Sequence, residues 1–69
     1  MVWERRTLLG GITGWEHKET HAIIYVANRH GWEVILNGKP IHSNKQSERE
    51  ANDLMDQYIV NYQEASNDQ

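Results

Sequence analysis

The 69-residue chain is 38% apolar and 25% charged, which suits one small folded domain with a limited core and is too apolar for a disordered segment. It carries no cysteine and a net charge of −3, which excludes a disulfide framework and any thiolate metal site. No apolar run approaches the roughly 20 residues of a membrane span, and the first residues lack an apolar signal core, so the expectation is a cytoplasmic protein without membrane contact.

The first candidate element is "VWERRTLL", residues 2–9. It reads as a strand that would pair with residues 21–28 and send Leu8 or Leu9 into the core. Gly10, Gly11 and Gly14 then mark "GGITGWEHKET" as a loop that must turn or stay mobile. Within it, "HKETH" has ligand-like spacing: on an extended chain His17, Glu19 and His21 share one side. The stretch lacks a fourth ligand and does not match the zinc-protease helix pattern, so no metal and no cofactor are expected.

"HAIIYVANRHGWEVIL" is a hairpin. Arg29-His30-Gly31 suits a three-residue loop with Gly31 in the left-handed region. That loop sets Asn28 opposite Trp32, Val26 opposite Val34, and Ile24 opposite Leu36. Ala22, Ile24, Val26, Val34 and Leu36 then form one apolar surface. Asn37-Gly38 is a strong two-residue hairpin signal and returns Ile41 beside Val34. Pro40 lacks an N–H, so this last strand should be short and lie at an edge.

A helix should start at "SERE". Ser47 and Glu50 have capping-box spacing, and Glu48 and Glu50 suit the positive end of the helix dipole. Ala51, Leu54, Met55, Tyr58, Ile59 and Tyr62 follow one helical stripe. Arg49, Asp53, Asp56, Gln57, Val60 and Glu64 lie opposite it. The helix should end near Glu64. The resulting expectation is an α+β domain over residues 1–64, an antiparallel meander of three or four strands with one C-terminal helix across one face. Residues 65–69 would form a disordered tail.

The same register fixes the opposite sheet face. His21, Ile23, Tyr25, Ala27, Glu33 and Ile35 should point there, with Pro40 and His42 alongside and Glu33 next to His42. Ile23, Tyr25 and Ile35 form an apolar centre, and Arg29, Glu33 and His42 a polar rim, which together make the candidate contact surface. The alternative is that the N-terminal segment covers this face with Trp3 or Trp15 as its lid.

Function is sought in binding rather than catalysis. "GGITG" matches no phosphate-binding loop, and neither Ser43 nor Ser47 has a nucleophile context. Glu33 with His42 would be a surface pair without a cleft. A three-stranded sheet followed by one packing helix resembles the architecture of AP2-type and phage-integrase arm-binding domains, which read DNA with the sheet. That resemblance implies Tyr25, Arg29, Lys39 and Arg5 or Arg6 as contacts.

The charge distribution argues against nucleic acid as first choice. Residues 1–45 carry Arg5, Arg6, Lys18, Arg29, Lys39 and Lys45 against Glu4, Glu16, Glu19 and Glu33, a balance of only +2. Residues 46–69 carry Arg49 against Glu48, Glu50, Asp53, Asp56, Glu64 and Asp68, a balance of −5. DNA-binding domains show a stronger basic stripe. The acidic helix face fits a solvated surface better than a mimic of nucleic acid. In size and style the chain resembles accessory proteins of phages and mobile elements, including inhibitors of host enzymes. The expected function is therefore a non-enzymatic protein-binding module with a protein partner. Nucleic acid is the alternative partner, and a second copy of the chain could dock on the same face.

Overall fold

The structure is a computed structural model that describes residues 2–67, with side chains as far as residue 61. Five strands form one antiparallel meander in sequence order: β1 (Trp3–Thr7), β2 (Thr13–His17), β3 (Ile23–Asn28), β4 (Trp32–Leu36) and β5 (Lys39–Lys45). Helix α1 (Glu48–Asn67) follows and packs on β3, β4 and β5. The class is the expected α+β meander with a C-terminal helix, with more strands than the sequence suggested.

The central hairpin has the expected register. Ile24 faces Leu36, Val26 faces Val34 and Asn28 faces Trp32. Gly31 has φ 93°, which an alanine would reach only with strain, so the three-residue loop depends on it. Asn37 (φ 52°) and Gly38 (φ 83°) are both left-handed, as a type I′ turn between β4 and β5 requires.

The core lies between this hairpin and the helix. Trp3, Ile24, Val26, Val34, Ala51, Met55 and Ile59 are buried together, and Trp15, Leu36, Leu54 and Tyr58 pack around them. The helical stripe is thus the one expected through Ile59, while the side chain of Tyr62 lies outside the described residues. Ser47 caps the helix by accepting from the Glu50 N–H at 3.2 Å. The helix continues past Glu64 to Asn67, and residues 68 and 69 of the expected tail lie outside the described residues.

Other expectations are corrected. The first strand pairs with β2, not with residues 21–28, because Thr13–His17 is itself a strand placed between them. The glycines at 10 and 11 make a tight connection (a 3-10 turn at Leu9–Gly11), while Gly14 lies inside β2. Neither leucine enters the core: Leu9 is 95% exposed, and Leu8 is half-buried outside the core cluster. Finally, β5 lies at the sheet edge but has seven residues rather than being short, and it slips against β4 at two places, so His42 rather than Ile41 stands opposite Val34. Ile41 is the extra residue of a bulge and is exposed.

Candidate functional site

Cross-strand rows define the helix-free face. One row runs Arg6, Gly14, Tyr25, Ile35, Pro40, and the next runs Glu4, Glu16, Ile23. Ile35, midway along the first row, is fully buried. Gly14 lets β2 and β3 approach closely. A Cβ there would collide with the Ile24 carbonyl oxygen and stand 2.9 Å from the Tyr25 Cβ. The gap left by this glycine lies directly beside Tyr25.

The connection between β1 and β2 bends over this face. Leu8, Leu9 and Ile12 line one side of a groove of about 460 Å³, Ile23 and Tyr25 its floor, and His21, Asn37 and Gly38 its far end. The Asn37 side chain is fixed there, since its Oδ1 accepts the Ile23 N–H at 3.0 Å. The lining is mainly aliphatic. His21 and Tyr25 are its titratable members, and no carboxylate lines it.

Six residues were expected to make the contact surface, and the structure distributes them. Ile23 and Tyr25 are half-buried in the groove floor. Ile35 lies on the same face but is closed off from solvent, so it supports the surface rather than touching a partner. Glu33 also lies on this face, only 7% exposed, with the Arg29 guanidinium 3.8 Å from its Oε1. That oxygen is buried without a hydrogen-bond partner. His42 is displaced by the β5 bulges to a position opposite Val34, a core residue, so it is not the neighbour of Glu33 and does not complete the rim.

Neither tryptophan is a lid for this face. Trp3 is in the helix-side core, edge-on to His17 at 5.0 Å and to Tyr58 at 6.5 Å. Trp15 packs against the same core, with the Arg5 guanidinium 4.9 Å above its ring. The cover is partial and aliphatic instead. Leu8, Leu9 and Ile12 were absent from the expected surface, and their apolar character around a pair of glycines was the available signal.

The histidines of "HKETH" are used by the fold. His17 is buried, and its Nδ1 accepts the N–H groups of Glu19 at 3.1 Å and Thr20 at 3.2 Å, which caps the turn between β2 and β3. His21 lies on the other side of that turn and donates from Nδ1 to Glu16 Oε2 at 3.2 Å. Glu16 also receives Arg6 Nε at 2.8 Å, and Arg6 reaches Glu4 at 3.3 Å. The His21 hydrogen bond, aided by Arg6, holds the Glu16 carboxyl below the usual range against the opposing effect of desolvation. No cluster of three metal-ligating side chains occurs among the described residues. No helix among them is long and apolar enough to cross a membrane.

Comparison with protein-family models, with curated proteins and with solved structures finds no match to this chain.

Proposed function

We propose that this chain is a non-enzymatic binding module whose helix-free sheet face takes an apolar side chain or short apolar segment of a partner protein. The observation that carries this reading is the groove between Leu8, Leu9 and Ile12 and the Ile23–Tyr25 floor, with Leu9 left 95% exposed at its lip. Leaving an aliphatic side chain in water beside an aliphatic groove loses burial that a partner would supply. Tyr25 offers the rigid, amphipathic area typical of contact centres. The pair of titratable groups at the groove's end, His21 with Glu16, is an exposed contact rather than an enclosed acid–base pair.

Nucleic acid is the weaker reading because the arginines of this face already have partners. Arg6 is held by Glu4 and Glu16, and Arg29 lies beside Glu33. A phosphate backbone would have to displace those carboxylates.

Leu9→Asp separates binding from folding, since an exposed residue can change with little effect on stability. The expected result is an unchanged melting temperature together with loss of a protein that the wild type retains and that binds it again after purification. A purified partner bound equally by wild type and Leu9→Asp would refute the groove. Salt-dependent binding of random-sequence DNA, lost in Arg6→Gln, would favour the nucleic-acid reading instead.

A further inference from the structure

The sheet has two edges, and they differ. At β5 the ladder is interrupted by two register shifts and Pro40 supplies no N–H. These are the usual protections of an edge strand. At β1 the register with β2 is continuous over all five residues, without bulge or proline.

The ladder phase tells which backbone groups of β1 point outward. The Lys18 N–H donates to the Val2 carbonyl at 2.8 Å, and the Leu8 N–H donates to the Ile12 carbonyl at 2.6 Å. On β1's side both contacts fall at even positions, so the polar groups of Glu4 and Arg6 also turn toward β2. Those of Arg5 and Thr7 turn away from the sheet. Side chains alternate as well. Glu4 and Arg6 stand on the helix-free face, and Arg5 stands on the helix side over Trp15.

We propose that the β1 edge pairs antiparallel with the β1 edge of a second copy, on a two-fold axis through Arg5. This centre is selected by charge. An axis through Glu4 would oppose Glu4 to itself, and one through Arg6 would oppose Arg6 to itself. The axis through Arg5 sets Glu4 of each copy opposite Arg6 of the other, twice, in the narrow non-hydrogen-bonded sites where side chains come closest. The two Arg5 backbones exchange hydrogen bonds on the axis. Their side chains are like-charged, but each guanidinium leans back over its own Trp15, 4.9 Å from the ring centroid and away from the axis.

The dimer doubles the five-stranded sheet, places both helices on one face and both grooves on the other. An isologous contact of this kind closes, and the guarded β5 edges prevent a filament. The proposal does not depend on what occupies the groove. A five-residue strand pair is a small contact, so the association belongs to the weak class.

Sedimentation and NMR diffusion at millimolar chain concentration test it. The wild type should run at twice the chain mass. In the dimer Arg6 keeps its intrachain contact to Glu16 and turns toward Glu4 of the second copy. Glu4→Arg alone and Arg6→Glu alone, each with its fold checked by amide NMR, should therefore weaken self-association roughly tenfold or more by replacing two attractive cross-copy pairs with two repulsive ones. An equimolar mixture of the two variants should form a heterodimer. The arginine introduced in one copy then meets the glutamate introduced in the other, and the native Arg6 of the first meets the native Glu4 of the second. Arg5→Pro removes an outward N–H without touching the ladder to β2, and should give a folded monomer. A monomeric wild type, a dimer that survives Arg5→Pro, or folded charge variants that fail to associate when mixed would overturn the proposal.

Discussion

Gly14 shows how one missing side chain sets both packing and site. With no Cβ it allows the Ile24 carbonyl and the Tyr25 side chain to close against β2. Gly14→Ala forces either the strands apart or Tyr25 out of its place, and should cost about 1–3 kcal/mol, measured by denaturant unfolding. An unchanged midpoint would mean that β2 yields without strain. His17 works at the same scale, because its ring accepts two turn N–H groups while packing on Trp3. His17→Ala should destabilise by roughly 1–3 kcal/mol through those two orphaned donors, whereas His21→Ala, at an exposed position, should cost much less. Equal losses in the two variants would contradict the capping role. In the sequence both histidines looked alike, since spacing shows which residues can meet but not which one a turn will enclose.

At the scale of elements, Met55→Ala should cost about 2–5 kcal/mol, enough to threaten a domain this small, while Val60→Ala on the exposed side should change little. Thermal melts of the two variants compare them directly. The helix and the central hairpin were legible because their patterns are locally complete. The helix shows a cap and a stripe from Ser47 to Ile59, and the hairpin shows turn residues whose φ requirements fix the register between Val26 and Val34. Strand β2 was not legible. Thr13–His17 has a glycine and one large apolar residue, and it becomes a strand because β1 and β3 pair on either side of it. The β5 bulges were equally hidden, since a one-residue slip changes no composition but turns Ile41 out and brings His42 opposite Val34. The candidate surface inherited both misses: Ile23 and Tyr25 were placed from the legible hairpin, while His42 and the Leu8–Ile12 cover depended on the parts that were not.

The whole molecule joins two unequal parts. The helix packs on β3, β4 and β5, and the β1–β2 hairpin is held by its ladder to β3, by Trp3 and Trp15 at the edge of the core, and by the charge cluster on the other face. Arg6 of β1, Glu16 of β2 and His21 of the following turn meet in that cluster, so it ties the N-terminal hairpin to the turn that leads into β3. The Glu16 carboxyl is held low, chiefly by the His21 hydrogen bond and then by Arg6. Its folded pKa therefore lies below the ordinary Glu value of 4.5. Between the two values the unfolded chain binds the extra proton, so stability rises with pH across this window. The contribution is complete above the unfolded value and disappears as pH falls through the folded one. Melting temperatures taken from about pH 6 down to about pH 3 should fall, and the fall should be shallower in Glu16→Gln, which has no charge to lose. Amide exchange over the same series should accelerate first in Glu4–Arg6 and last in Ile24–Val26, because the loosened tie belongs to the hairpin outside the helix-covered core. A pH slope identical in the wild type and Glu16→Gln would show that other carboxylates carry the acid sensitivity and that this cluster does not hold the hairpin in place.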